Sequence, residues 1–205
     1  MDMTLFPTKG NLIRAKGTLS LSRQGYELLD KKRNILVREM MGLIERAGVI
    51  QEKIHRLYME AYEALQSANI SIGIAEVEQL GFAVPEDRSV KIKVRSIMGV
   101  EIPTVDIEPY DLKPRYGFSR TNLALDIAYR CFEEVKHMTV EYAEVENAVY
   151  RLAVNIRKTQ KRANALKNIM IPRFEKITKD IQEFLDEKDR EEFTRLKMIK
   201  KMKQD

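Results

Sequence analysis

The sequence predicts an all-α protein: a long antiparallel two-helix left-handed coiled coil with a small β-hairpin inserted in its middle segment. Three observations carry this. Small and apolar residues recur with heptad spacing through the first 68 residues. A second heptad stripe of similar length starts at Cys131. Between them lie Pro85, Pro103, Pro109 and Pro114, together with a run that alternates polar and apolar side chains. A repeat of seven winds two helices left-handedly around each other, because seven residues fall just short of two full α-helical turns.

The first helix carries two interleaved series. One is Leu12, Leu19, Tyr26, Arg33, Met40, Ala47, Ile54, Ala61 and Ala68. The other is Ala15, Ser22, Leu29, Leu36, Leu43, Ile50, Leu57 and Ala64. Only Arg33 and Ser22 are poor core residues. At 1.5 Å per residue such a helix is roughly 90–100 Å long, several times the diameter of a small domain.

In the middle segment, Ser89-Val90-Lys91-Ile92-Lys93-Val94 alternates as a half-exposed strand does. Val100-Glu101-Ile102 and Val105-Asp106-Ile107 can return antiparallel to it, with Met98-Gly99 as the turn. The expectation is a hairpin projecting from the helical pair.

The second helix reads Cys131, Val135, Met138, Tyr142, Val145, Val149, Leu152, Ile156, Thr159, Ala163, Leu166 and Met170, then Ile177, Ile181 and Phe184. Arg173 interrupts it. The stripe shifts phase near Arg190 and resumes as Phe193, Leu196 and Ile199. Pro172 lies inside this helix, where it removes a donor and clashes with the preceding turn. Apolar spacing resumes beyond it, so a kink is expected rather than a stop. Two helices of matched length in one chain make a folded-back hairpin simpler than a parallel dimer of two chains. The organisation is then a flexible N-terminal arm (1–9), an N-terminal coiled-coil helix (10–76), a middle segment with the β-hairpin (77–118), and a C-terminal coiled-coil helix with a basic tail (119–205).

Composition agrees. Charged residues make up 33% of the 205, there is no Trp, and 9 Gly and 6 Pro are few for this length, as suits long solvated helices. The single cysteine, Cys131, permits no internal disulfide, and it falls on the apolar stripe. No apolar run reaches membrane-spanning length, and residues 1–9 lack a secretory h-region, so a cytoplasmic protein is expected. The net charge of +5 suits an acidic protein partner, a membrane surface or nucleic acid. It is unevenly spread. Residues 133–146 hold five acids and one base, whereas residues 151–179 hold nine bases and one acid, Glu175. In an antiparallel pair the basic stretch lies beside residues 20–45, which add Arg23, Lys31, Lys32, Arg33 and Arg38. The result is a basic collar or, more simply, solvated helix faces.

No catalytic constellation emerges. Glu52–His55 and Glu134–His137 form Glu-x-x-His pairs, a di-iron carboxylate signature when four helices converge. Here two long helices are predicted, and both pairs fall beside the heptad seam rather than on it. The Gly-rich phosphate-loop patterns are missing, and no nucleophile has a base in a supporting context. No catalytic residue, metal site or cofactor is expected.

Several motifs are spaced along nearly the whole chain. Near the start these are Pro7-Thr8-Lys9, Leu12, Leu19, Gly25, Leu28-Leu29 and Lys32-Arg33. In the middle they are Met98-Gly99-Val100 with Pro103, then Tyr116-Gly117-Phe118-Ser119. Near the end they are Arg162-Ala163-Asn164-Ala165-Leu166, Ile171-Pro172-Arg173, Asp189-Arg190-Glu191-Glu192 and Arg195-Leu196-Lys197. Together they resemble the D subunit of V/A-type rotary ATPases, the central rotor shaft. Lys167 stands where the family pattern has an acid, and Phe174 where it has leucine.

The resemblance implies a non-catalytic shaft that couples ATP synthesis or hydrolysis in a hexamer of A and B subunits to rotation of a membrane ring and ion transport. Its implied partners are the A and B subunits, the small F subunit, and the funnel-like subunit above the membrane ring. There is no nucleic acid among them and no direct membrane insertion; the location is cytoplasmic, peripheral to the membrane. Candidates for contact with the stator are Arg157, Lys158, Lys161, Arg162, Arg195, Lys197 and Lys200. Candidates for contact with the F subunit are Ile70, Ile72, Ile74, Leu123 and Leu125, which exceed what one heptad seam needs. The competing reading is a basic coiled coil that binds nucleic acid or serves as a scaffold.

Overall fold

A computed structural model describes residues 6–85, 89–107, 116–117, 119 and 121–203. Pro109, Pro114, Phe118 and most of the expected N-terminal arm lie outside these. The order is α1 (Lys9–Ile72), α2 (Ile74–Gly81), β1 (Val90–Ile97), β2 (Val100–Ile107), α3 (Leu123–Ala165), a π-helical turn (Leu166–Met170) and α4 (Ile171–Met202). Long helices packed against each other, with one two-stranded antiparallel sheet between them in sequence, make this the predicted coiled-coil class. The chain divides into two compact units. Unit 1 comprises residues 1–34 and 156–205, and unit 2 comprises residues 35–155.

Unit 1 pairs the start of α1 antiparallel with the end of α3 and with α4. Thr8 caps α1: its Oγ1 accepts the Asn11 N–H at 3.2 Å, satisfying a donor that the first turn leaves over. Cross-helix contacts then run in strict antiparallel order. Lys9 reaches Asp189 at 3.9 Å, Lys16 donates to Gln182 at 3.2 Å, Arg23 pairs with Glu175 at 2.6 Å, and Arg33 donates to Gln160 at 2.9 Å. Ala15, Ser22, Thr159, Ala163 and Ile181 form the buried seam. Most are small, which lets the two backbones approach closely.

The two poor core residues are accommodated locally. Ser22 is buried and donates from Oγ to the Thr18 carbonyl at 2.8 Å. Arg33 is half-buried, held by Asp30 at 2.8 Å as well as by Gln160.

Pro172 does not end the helix. The Ile171 N–H bonds to the Leu166 carbonyl, five residues back, and α4 continues from there. Widening one turn to π spacing moves the preceding backbone clear of the proline ring, which would clash in a regular helix. The expected bend is thus resolved as a π turn.

The seam does not resume at Phe193, Leu196 and Ile199, which are all exposed. α4 remains helical to Met202, but α1 starts at Lys9, level with Asp189. Beyond that level no partner helix is present among the described residues. Ion pairs there run within α4: Arg190 pairs with Glu187 at 3.7 Å. Glu191 pairs with Arg195 one turn on, at 3.6 Å.

Unit 2 pairs the rest of α1 with α3. Leu36, Ile50, Ala61 and Ala68 meet Leu125, Ala128, Val135, Val145, Ala148 and Leu152 in its core. Each fully buried leucine stabilises by about 1.5–3 kcal/mol. Arg46 pairs with Glu141 across the seam, and Tyr62 stands edge-on to Phe132 at 5.6 Å. The first helix, expected to reach residue 76 unbroken, breaks at Gly73. Its φ of 102° is a conformation that side chains oppose, and α2 follows as a separate short helix. α3 starts at Leu123 rather than 119, because Asn122 caps it: Oδ1 accepts the Leu125 N–H at 3.0 Å.

The hairpin is longer than its apolar alternation suggested. Val90 pairs with Ile107 and Ile97 with Val100. Met98 and Gly99 both have positive φ, 50° and 75°, as the tight two-residue turn of a twisted hairpin demands. The hairpin does not project freely. Val100 and Ile102 are buried, the Glu144 carboxylate accepts the Val105 N–H at 2.7 Å, and Arg151 donates to the Glu101 carbonyl at 3.2 Å.

Candidate functional surfaces

Unit 1 presents a basic surface. Arg157, Lys158, Lys161 and Arg162 are all exposed. None forms an ion pair among the described residues. On α3, Arg157 and Lys158 precede the buried seam position Thr159, and Lys161 and Arg162 lie between it and buried Ala163, so their stems flank the seam while their charges stand in water. Lys167 lies over the Tyr26 ring at 5.7 Å. Bases clearly outnumber acids across the residues of unit 1, and acids outnumber bases in unit 2.

The end of α4 combines charge with apolar surface. Arg195, Lys197 and Lys200 are exposed, as are Phe193, Leu196, Met198, Ile199 and Met202. Arg195 is tied to Glu191 within its own helix. A short helix end with this mixture can seat in a socket that is apolar in part and acidic in part.

In unit 2, three of the five apolar candidates lie open: Ile70, Ile74 and Leu123 are 79%, 72% and 73% exposed. Ile72 is half-buried, and Leu125, at 7%, faces the core. Leu125 lines a cavity of about 260 Å³ with Leu65, Val77, Leu80, Tyr129 and Phe132. The spare apolar residue on that helix is therefore used internally, where α2 folds over α3. Met59, Tyr62 and Ile127, in the same stretches (57–74 and 121–138) but not singled out from the sequence, are also exposed. The signal was present, since Met59 and Tyr62 fall off both heptad series.

The Glu-x-x-His pairs do not converge. Glu52, His55 and Glu134 are exposed and His137 is half-buried. No cluster of three or more His, Cys, Asp or Glu able to hold a metal occurs among the described residues. Cys131 is half-buried. No described helix is long and apolar enough to cross a membrane. The perturbed ionisable groups are structural. Lys93 and Asp106, 2.8 Å apart on the hairpin, bond and attract each other, which holds the ammonium above its ordinary range and the carboxyl below it.

The sequence profile of the ATP synthase D-subunit family matches residues 11–201, and so reaches into every helix and covers both strands. The chain belongs to the ATP synthase D-subunit family. It is 44% identical to the V-type ATP synthase D subunit of Thermotoga neapolitana, over 97% of this chain and 98% of that protein. It is 39% identical to the A-type ATP synthase D subunit of Methanobrevibacter smithii, over 95% of this chain and 85% of the other. For the A-type ATP synthase D subunit of Thermococcus kodakarensis the identity is 36%, over 95% and 92%. Membership of this family makes the chain a non-catalytic structural component of a V/A-type ATP synthase. Its partners are accordingly other subunits of that complex.

Proposed function

We propose that this D subunit is the central rotor shaft of its complex, carrying torque between a catalytic A/B hexamer and an ion-translocating membrane ring. The observation that carries this reading is the family match along almost the whole chain. The antiparallel helix pair supports it, since a shaft must resist bending and twisting while offering no locked contact. Unit 1, with the basic surface and the exposed end of α4, is the part that enters the hexamer. Its collar, Arg157, Lys158, Lys161 and Arg162, faces an acidic lining there, and Arg195, Lys197 and Lys200 engage the same stator deeper in. Exposed ion pairs are each worth about 0–1 kcal/mol, so none arrests rotation, yet together they keep the shaft centred.

Unit 2 receives the F subunit on its open apolar surface, with Ile70, Ile74 and Leu123 as contacts and Ile72 at the margin. The funnel-like subunit couples the shaft to the ring, and the complex works at the cytoplasmic face of the membrane.

The test is assembly and ATPase rate of the complex carrying Arg157→Gln, Lys158→Gln, Lys161→Gln and Arg162→Gln together. At low salt the variant should assemble more weakly than the unaltered complex, with the difference shrinking as salt screens the charges. Equal behaviour at every salt concentration rejects the collar.

A further inference from the structure

The two edges of the β-hairpin are treated differently. In an antiparallel pair joined by a two-residue turn, the residues flanking the turn bond to each other, and every second pair thereafter does the same. With Ile97 opposite Val100, the intervening pairs Ser96–Glu101, Val94–Pro103 and Ile92–Val105 turn their backbone groups outward. On β2 the outward donor of Val105 and the outward carbonyl of Glu101 are taken up by α3, and the edge lacks one donor altogether. Pro103 has no N–H to offer, Glu144 accepts the Val105 N–H, and Arg151 bonds the Glu101 carbonyl. On β1 the outward groups of Ile92, Val94 and Ser96 bond to nothing among the described residues. Ile92 and Val94 are 72% and 61% exposed, though both side chains are apolar and β-branched. An open edge of this kind is a template for another strand, and most folds disguise it.

The side chains say what kind of strand. Ile92 and Val94 share one face of β1, and Lys91, Lys93 and Arg95 share the other, where, among the residues of β2, Asp106 is the acid opposite them. A second copy of β1 would set these bases against their own kind. A strand with apolar residues on one face and acids on the other would cover Ile92 and Val94 and meet the bases with opposite charge.

We propose that the free edge of β1 takes up an extended segment of another subunit, with alternating apolar and acidic residues, as a third strand of this sheet. The inference rests on the chain working within a multi-subunit complex, not on its role as a shaft.

Amide hydrogen exchange tests it on the full chain, alone and in the purified complex. Alone, the Ile92, Val94 and Ser96 amides exchange fast while those of Lys91, Lys93 and Arg95, bonded to β2, are protected. In the complex the three outward amides slow by about tenfold or more. A peptide alternating Glu with Val and Ile slows them in the isolated chain, and its counterpart with Lys for Glu does not. The triple variant Lys91→Glu, Lys93→Glu, Arg95→Glu reverses that preference. Ile92→Pro removes one outward donor without breaking a bond to β2, so it abolishes peptide binding, whereas Ile92→Thr retains it. If Ile92→Pro disturbs the protected β2-facing amides, Val94→Pro takes its place. Fast outward exchange in the complex together with no peptide binding overturns the proposal. So does protection that rises with concentration of the chain alone, which marks pairing of two copies. Failure of the chain to co-purify with other subunits would instead count against the functional reading, and the peptide experiment still decides this one.

Discussion

The Glu144 carboxylate accepts the backbone N–H of Val105 at 2.7 Å, across 39 positions of sequence. This bond takes up one outward donor of the hairpin and fastens β2 to α3. Glu144→Ala leaves that N–H without a partner. A hydrogen bond to a charged acceptor contributes about 1.5–3 kcal/mol. The expected result is faster exchange at Val105 and its β2 neighbours, with the helical melting point little changed. Unchanged Val105 exchange would show that the carboxylate holds nothing in place.

The ion pair across the hairpin, Lys93–Asp106, titrates. Asp106 has its carboxyl held low by Lys93, so its contribution is present above the ordinary carboxylate value of 3.8 and is lost as pH falls through its lowered value. Lys93 is held high by Asp106, so its contribution is complete below 10.5 and is lost as pH rises through its raised value. Between these limits hairpin protection should be flat with pH. Asp106→Asn should flatten the acid limb as well, measured by amide exchange of β1.

Leu36 and Leu152 are fully buried in unit 2, whereas Leu28 is 67% exposed in unit 1. Leu36→Ala or Leu152→Ala should cost about 2–5 kcal/mol in urea unfolding. Leu28→Ala should stay within about 0.5 kcal/mol. Equal costs would mean the seam is assigned to the wrong heptad positions.

Pro172 is accommodated by the π turn before it. Pro172→Ala restores a donor and lets the turn tighten. The gain should be less than the roughly 3 kcal/mol that a proline costs a regular helix interior, because the turn has already relieved the clash. Carbon chemical shifts across Leu166–Met170 should move towards regular α-helix. No change there would show that the π turn has a cause other than the proline.

Heptad spacing made much of the fold legible, because a seven-residue repeat marks the face that must be covered: Ala15, Leu36, Ala61, Val145, Leu152 and Ala163 all lie where it put them. Period two did the same for β1. What stayed hidden depends on partners distant in sequence or on backbone conformation. Phe193 and Leu196 keep an apolar spacing, but spacing shows which face is sticky, not where the partner helix ends. Gly73 interrupts no apolar series, so nothing marked its break. Leu125 looked spare because α2, which folds over it, had no separate signal. The exposure of Arg157, Lys158, Lys161 and Arg162 was readable, since four bases in six positions cannot enter a seam. The open edge of β1 was not, because it follows from hairpin parity and from caps supplied by α3.

Residues 193–203 lie past the level where α1 begins. Truncation after Glu192 should leave the melting point of the isolated chain nearly unchanged, because the lost segment holds little beyond i,i+4 pairs such as Glu191–Arg195, worth about 0.2–0.5 kcal/mol each. Assembly into the hexamer, measured by size-exclusion chromatography of the reconstituted complex, should weaken. A large drop in melting point with normal assembly would reverse the assignment.

The central claim is that this chain turns. A bead attached through Gln79→Cys, on the exposed face of α2, in a Cys131→Ser background, would report it directly. With the A/B hexamer fixed to glass, addition of ATP should drive the bead in one direction in steps that repeat around the circle. A bead that stays still while the same immobilised complexes hydrolyse ATP would contradict the account.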